Sequence, residues 1–112
     1  MNSKLIDNLR SQLGGPRDGA MLRFALANAL LESGDPGAAA ESARAALEFD
    51  PGYTAAWKTL GKALTATDEG EAAIDAYRQG IAAADQHGDV QAGKEMKVFQ
   101  RRLERARRTD TP

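Results

Sequence analysis

Residues 54–87 read TAAWKTLGKALTATDEGEAAIDAYRQGIAAADQH, and the stretch before them, residues 20–53, follows the same pattern at an offset of 34. Identical residues fall at Leu26/Leu60, Ala29/Ala63, Leu30/Leu64, Ala38/Ala72, Ala39/Ala73 and Arg44/Arg78. Most of these matches are apolar or small and recur at helical spacing, and the turns between them align as well. A fixed period of this length is typical of stacked repeats, so the sequence predicts two helix–turn–helix units.

Apolar stripes and turn signals on both sides of the repeats raise the predicted number of helices to six, in an all-α protein. The N-terminal stripe, over residues 3–13, consists of Leu5, Ile6, Leu9 and Leu13. The C-terminal stripe, over residues 90–107, consists of Ala92, Met96, Phe99, Leu103 and Ala106. Three aspartates, Asp18, Asp35 and Asp68, are the residues expected to cap the helices that follow them.

The repeat pattern resembles that of the tetratricopeptide repeat family. The second unit has the family's positions as Trp57, Leu60, Gly61, Leu64, Ala73, Tyr77 and Gly80, and the first has them as Leu26, Ala27, Leu30, Ala39, Ala43, Ala46 and Pro51. The units depart from the family at Arg23, Ala43, Leu64 and Asp85, which replace a tryptophan, two aromatic residues and a proline. The resemblance implies a short α-solenoid of antiparallel helix hairpins.

This resemblance divides the chain into one domain, residues 1–108, and a short tail. The predicted parts are an N-terminal capping helix (3–13), two repeats (20–53 and 54–87), a C-terminal capping helix (90–107) and a disordered tail (109–112). The last helix leaves two alternatives open. It either rotates out of the repeat register, so that Met96 and Phe99 cover the preceding helix, or keeps the register and points both side chains into the concave groove.

Composition excludes several classes of protein. The chain has 112 residues and no cysteine, which rules out disulfides, zinc–cysteine sites and thiol nucleophiles. Charges at Lys4, Asp7 and Arg10 interrupt the apolar core that a secretory signal needs, and no stretch reaches the roughly 20 apolar residues of a membrane span. The sequence therefore predicts a cytoplasmic protein that does not enter membranes.

Catalysis has little support in the sequence. The single histidine, His87, lies in a predicted turn, and no serine has a histidine or lysine at motif spacing. The pair Gly14-Gly15 lacks the rest of a phosphate-binding loop, and Asp68, with the acidic residues after it, fits a helix start better than a metal site. We therefore expect no enzymatic activity, no metal and no cofactor.

The resemblance implies a protein or peptide partner, bound in a concave groove lined by the first helix of each hairpin. In this register the groove residues are Met21, Phe24, Asn28, Leu31, Lys58, Lys62 and Thr65. The first four are mostly apolar and the lysines are cationic, which suits a segment with an apolar anchor and a nearby carboxylate. The alternative is that the N-terminal helix partly covers Met21 and Leu31 and that the lysines only solvate the surface.

Some family members hold carboxylates of chaperone tails with a set of lysine, asparagine and basic residues. Asn28 matches one position of that set, but Phe24 and Thr59 replace the first lysine and the second asparagine. Asp89 and Gly93 replace the basic pair. That activity is not expected here.

The charge is divided unevenly along the chain. Residues 1–89 carry a balance of −5 and residues 90–112 a balance of +4, within a net charge of −1. The exposed cations of the last helix, Arg101, Arg102, Arg105 and Arg108, could contact nucleic-acid phosphates, although the acidic body disfavours it. The same asymmetry allows self-association through the terminal helices. The favoured interpretation is a non-catalytic interaction or assembly scaffold.

Overall fold

The computed structural model describes residues 3–110, and within that range the chain forms six α-helices and no strand. The helices are α1 (Ser3–Ser11), α2 (Ala20–Glu32), α3 (Pro36–Phe49), α4 (Thr54–Ala66), α5 (Gly70–His87) and α6 (Val90–Asp110). The predictions of an all-α class and of six helices are confirmed.

The helix ends follow from local chain chemistry. The Asp35 carboxylate accepts a hydrogen bond from the Ala38 amide, and Pro36 occupies the first turn of α3, where its missing N–H costs nothing. Gly34 and Gly88 adopt φ angles of 87° and 70°. Glycine reaches this left-handed conformation without strain, so the chain can leave α2 and α5 abruptly.

Two predicted helix ends are wrong. α1 ends at Ser11 instead of residue 13, because residues 12–14 form a turn closed by 3.1 Å backbone hydrogen bonds such as that from Leu13 N to Arg10 O. α6 continues through Thr109 and Asp110, which the sequence assigns to the tail. The Thr109 hydroxyl donates to the Ala106 carbonyl over 2.8 Å and supports this last turn. The rest of the predicted tail, residues 111 and 112, lies outside the described residues.

Two of the three predicted aspartate caps are also wrong. The Asp18 carboxylate accepts hydrogen bonds from the Arg23 guanidinium and the Gly14 amide, and the N-cap position of α2 is held by Gly19, with no side-chain capping hydrogen bond. Asp68 adopts a φ of 62° and precedes Glu69, the residue at the N-cap position of α5, whose side chain makes no capping hydrogen bond. In both cases the aspartate shapes the loop and does not cap the helix.

The helices form two curved layers. α2 contacts α4 and α4 contacts α6, whereas α3 and α5, within the described residues, make no backbone contact with each other. Each of α3 and α5 instead packs between its neighbours in the chain. An array whose helices lie closer on one side than on the other curves toward the closer side. α2, α4 and α6 therefore line the concave side, and α3 and α5 the convex side.

The first hairpin, α2–α3, is closed by small side chains. Ala27 of α2 faces a fully buried set in α3, namely Ala39, Ala43 and Ala46. α1 covers the open end of this hairpin with Ile6, which is buried, and with Leu9; Leu13, in the turn after α1, also packs against the core. Leu5, predicted to join this stripe, is 48% exposed. At an offset of 34, Leu5 corresponds to Ala39, which packs against the first helix of its own hairpin. α1 has no such first helix before it, so the Leu5 side chain stays exposed.

The second hairpin, α4–α5, combines glycines with large side chains. A Cβ atom at Gly61 would stand 2.7 Å from Cδ1 of Tyr77, so only glycine lets this ring pack against α4. A Cβ atom at Gly80 would stand 2.8 Å from Cβ of Trp57 and 3.1 Å from Cε of Met96. The two glycines thus create the space that the bulky side chains fill.

The last helix follows the repeat, but with an offset of 36 instead of 34. Met96 then occupies the place of Leu60, and it is fully buried. The extra residues belong to α5, which runs four residues further than α3 does at an offset of 34. Met96 is therefore core, whereas Phe99 is half-buried and packs on the Tyr77 ring with 5.5 Å between centroids.

Candidate functional site

The concave side presents a continuous surface that crosses α2, α4 and α6. Three contacts join neighbouring helices along it: Asn28 to Thr59, Lys58 to Glu95, and Lys62 to Phe99. The predicted groove residues therefore lie on adjacent helices of one layer. What differs along the surface is its chemistry, which changes from apolar at α2 to charged at α4 and α6.

The α2 end of this surface is apolar. Met21 is 78% exposed, which excludes the alternative that α1 covers it. Phe24 is half-buried and lies against the Tyr53 ring, with 4.9 Å between centroids. Leu31 is half-buried and packs against the core, so it contributes less surface than Met21. A large exposed methionine beside an anchored aromatic pair is an adaptable apolar contact site.

The centre of the surface is a hydrogen-bonded pair. The Thr59 hydroxyl donates to the amide oxygen of Asn28 over 2.9 Å, and Thr59 is buried. Asn28 therefore uses its amide oxygen to join α2 to α4, and its amide NH₂ is available to donate to a ligand. The offset of 36 also places Gln91 and Glu95, not Asp89 and Gly93, where the carboxylate-holding members have their basic pair. Neither substitution supplies a cation.

The two lysines have different surroundings. The Lys58 ammonium lies 3.5 Å from the Glu95 carboxylate, so its charge is partly compensated. The Lys62 ammonium is exposed and lies 5.8 Å from the centre of the Phe99 ring. The Arg102 guanidinium lies 6.0 Å from the same ring. Lys62 and Arg102 thus place two cations around one aromatic ring, and neither forms an ion pair within the described residues.

Thr65, the last predicted groove residue, has an internal role. Its hydroxyl donates to the Gly61 carbonyl over 2.7 Å, and its side chain hydrogen-bonds the Tyr77 phenol. Burial raises the pKa of this phenol above its usual range, and the bond to Thr65 offsets part of that rise. Thr65 therefore belongs to the packing of the second hairpin, although its side chain remains at the surface.

Sequence reasoning missed Tyr53 and Glu95 at this surface; it named Thr59 only as a substituted position and Arg102 only as part of the basic surface. Tyr53 closes the first repeat, and it stacks on Phe24 only because the chain turns back at Pro51 and Gly52. Glu95 and Arg102 belong to α6, whose register depends on the length of α5. An alignment at an offset of 36 pairs Glu95 with Thr59 and would have indicated it, whereas Arg102 aligns with Ala66 and would not have been found.

The basic residues of α6 lie together on its outer surface. Arg101, Arg102, Arg105 and Arg108 are all exposed. Three of them, with Val98, surround a shallow depression on the helix. Arg107, on another face, forms an ion pair with Glu71 of α5 at 2.8 Å.

Residues 3–110 do not assemble a metal-binding group. In the described part of the chain, no three histidine, aspartate or glutamate side chains converge as metal ligands. His87 is exposed at the end of α5, beside Gly52. Among the helices of residues 3–110, none is long and apolar enough to cross a membrane.

Comparisons with known proteins agree with the geometry. The family model described as Tetratricopeptide repeat matches residues 22–96. A TPR repeat-containing protein of Pseudomonas aeruginosa is 47% identical over 103 residues, which cover 92% of this chain and 98% of that protein. The solution structure of a Bordetella parapertussis protein is similar with a TM-score of 0.82 and 40% identity, covering 95% of this chain and 92% of that one. The crystal structure of the Sgt2 TPR domain from Aspergillus fumigatus has a TM-score of 0.80 and 31% identity, covering 98% and 73%.

Proposed function

Because this chain belongs to the tetratricopeptide repeat family, which is generally a non-catalytic interaction module, we propose that it binds a peptide or helix of a protein partner on its concave surface. The observation that carries the proposal is the exposure of Met21 next to the Phe24–Tyr53 pair. The half-buried rings of Phe24 and Tyr53 extend the apolar surface around Met21, and a contiguous apolar patch is a usual mark of an interaction site. The proposed role is that of a cytoplasmic scaffold.

The surface chemistry defines the expected partner segment. An apolar side chain would pack on Met21 and Phe24, at the α2 end. A carboxylate would lie near Lys62 and Arg102, at the other end, since Glu95 already compensates Lys58. Asn28, between them, has an amide NH₂ to donate to a backbone carbonyl of the segment. The partner is therefore a short segment with an apolar anchor followed or preceded by an acidic residue.

The proposal can be tested by affinity capture from cell extract with two groove variants and a control. Lys58→Glu/Lys62→Glu reverses the charge at one end of the surface, and Met21→Glu removes the apolar contact at the other. Arg17→Glu/Arg78→Glu makes the same charge change as the lysine variant at exposed positions outside the surface. Thermal unfolding by circular dichroism shows whether each variant is folded.

We expect the wild type and the arginine control to retain the same partner and both groove variants to lose it. Equal capture by all four folded proteins would place the binding site elsewhere and contradict the proposal. Loss of the partner in the arginine control alone would contradict it as well, because those residues do not line the concave surface.

A further inference from the structure

The separation of α3 from α5 opens a cleft on the convex side, opposite the concave surface. The cleft has a volume of about 470 Å³, and its floor is a face of α4 that carries Trp57, Leu60 and Leu64. The two leucines are buried, and Trp57 is half-buried, with its indole N–H donating to the Pro51 carbonyl over 2.8 Å. The cleft is therefore an open apolar slot with a fixed floor.

The rims of the cleft are charged. Glu48 of α3 and Asp75 of α5 are exposed on opposite rims, with Arg44 one turn from Glu48. The Gln79 amide donates to the Asp75 carboxylate over 3.2 Å, but neither carboxylate forms an ion pair within residues 3–110. The rims thus carry two carboxylates and one guanidinium above an apolar floor. Such a cleft suits a ligand with an apolar side chain for the floor and cations beside it for the carboxylates.

The outer face of α6 carries this combination. Val98 is 41% exposed and borders one depression together with Arg101, Arg102 and Arg105. Val98, Arg101 and Arg105 are three and four residues apart, so they lie on one face of the helix. Neither Arg101 nor Arg105 forms an ion pair in the part of the chain that the structure describes.

We infer that the convex cleft of one copy of this chain binds α6 of a second copy. Val98 enters the slot above Trp57, and Arg101 and Arg105 meet Glu48 and Asp75. The charge balance favours a second copy as the occupant, since residues 1–89 carry −5 and residues 90–112 carry +4. The C-terminal helix has more cations than anions, and the rims of the cleft have more anions than cations.

The geometry of this contact has a consequence for assembly. The cleft and the outer face of α6 are different surfaces, so the interface is heterologous, and a pair of copies keeps one cleft and one α6 face available. Copies therefore add head to tail. The α6 face borders the concave surface at Arg102, whereas the cleft lies on the opposite side of the molecule. Changes to the rims of the cleft therefore test the inference without altering the proposed peptide-binding surface, and the two can fail independently.

Sedimentation velocity of the purified, nuclease-treated protein tests the association. At low ionic strength the average mass should rise with protein concentration, and at about 1 M salt it should fall to that of a monomer, because the Debye length is then roughly 3 Å. A wild type that stays monomeric at every concentration in low salt would overturn the inference. An association that disappears with nuclease treatment would overturn it too, since the α6 cations would then be binding nucleic acid.

Charge-reversal variants locate the interface. Glu48→Lys/Asp75→Lys reverses the rims, and Arg101→Glu/Arg105→Glu reverses the helix; all four residues are exposed, and circular dichroism checks the fold of each variant. Each variant alone should associate at least about tenfold more weakly than the wild type. An equimolar mixture of the two should recover association, because each variant supplies the surface that the other needs.

The control Arg17→Glu/Arg78→Glu, with the same charge change as the helix variant, should associate like the wild type. Undiminished association of either reversed variant would overturn the inference. So would a mixture as weak as its two components, because the charges would then act without a specific contact between the cleft and α6.

Discussion

The two hairpins share one frame and differ in what fills it. Leu26, Leu30 and Ala39 of the first correspond to Leu60, Leu64 and Ala73 of the second, and all six are buried. At the closest approach of the two helices, however, the first hairpin has Ala27 and Ala43, whereas the second has Gly61 and Tyr77. In the second hairpin, the Tyr77 ring of α5 occupies the space that a methyl group at position 61 of α4 would fill.

This difference shows what the ring is for. Ala43 lies inside a hairpin that is followed by another complete hairpin. Tyr77 lies in the last hairpin, where its ring reaches past Gly61 toward Thr65 on one side and packs on Phe99 of α6 on the other. A large side chain at this position therefore attaches the terminal helix, which a methyl group could not do.

The hairpins also differ at the residue that begins the motif. Trp57 donates its indole N–H to Pro51, a neutral bond that is independent of pH. Its counterpart Arg23 forms a two-point ion pair with Asp18, with N···O distances of 2.7 and 2.8 Å, and its guanidinium lies 5.9 Å from the Phe49 ring. One hairpin is anchored to its loop by an aromatic side chain and the other by charge.

The largest expected effect comes from Tyr77→Ala. Removing a side chain that is 2% exposed and contacts both α4 and α6 should lower the free energy of unfolding by about 3–5 kcal/mol. Ala43→Gly, at the corresponding position of the first hairpin, should cost about 1 kcal/mol, chiefly through helix propensity. Urea denaturation monitored by circular dichroism measures both. Equal losses would mean that the two hairpins close in the same way.

The next effect is a change of sign at Gly61. Gly61→Ala should destabilise the wild type by about 1–3 kcal/mol, because the new methyl group would overlap the Tyr77 ring. In the Tyr77→Ala background the same change should stabilise by up to about 1 kcal/mol, since alanine is the better helix former. The double variant has alanine at both positions, as the first hairpin does, and the double-mutant cycle measures the coupling between them. A destabilisation of the same size in both backgrounds would show that the ring does not require the glycine.

A smaller effect separates the two loop anchors by pH. The hydrogen bonds from Arg23 and from the Gly14 amide lower the pKa of Asp18 to about 2, below its ordinary value of 3.8. A lowered folded-state pKa contributes stability above the unfolded pKa of about 3.9, and this contribution is lost as the pH falls toward 2. Asp18→Asn should therefore lower the unfolding temperature at pH 7 and have little effect near pH 2. Trp57→Phe, which changes the neutral anchor, should cost the same at both pH values.

The smallest expected effect concerns the Lys58–Glu95 pair. Both side chains are partly exposed and their charged atoms are 3.5 Å apart, so Glu95→Gln should change the free energy of unfolding by less than about 1 kcal/mol. The same substitution removes the carboxylate that compensates Lys58. If the charged end of the concave surface binds an acidic segment, this variant should bind it more tightly than the wild type does. Weaker binding would mean that Glu95 itself contacts the ligand.

The frame of both hairpins could be predicted from the sequence because it repeats: Leu26 with Leu60 and Ala39 with Ala73 identify the buried faces. The features that sequence reasoning missed depend on contacts between distant elements. Asp18 lies where a helix cap is expected in the sequence, but its carboxylate accepts a hydrogen bond from Arg23. Met96 follows the repeat only after the longer α5 has moved the register by two residues.

The candidate site was predictable to the same extent. Met21 and Lys62 lie on the concave side because the repeat register places them there. The pairing of Asn28 with Thr59 and of Lys58 with Glu95 depends on the distances between the helices. The repeat period predicts which residues share a face but not these distances. For the same reason the sequence did not indicate the convex cleft, which exists because α3 and α5 diverge.

The proposed function rests on the binding of a partner segment to the concave surface of α2, α4 and α6. The most direct measurement uses the tightest peptide from a random library selected on the wild-type protein, titrated into ¹⁵N-labelled protein and followed by NMR. We expect the largest amide shift changes to fall on α2, α4 and α6, around Phe24, Asn28 and Lys62. Shift changes confined to α3 and α5 would contradict the proposed function, because the binding surface would then be the convex one.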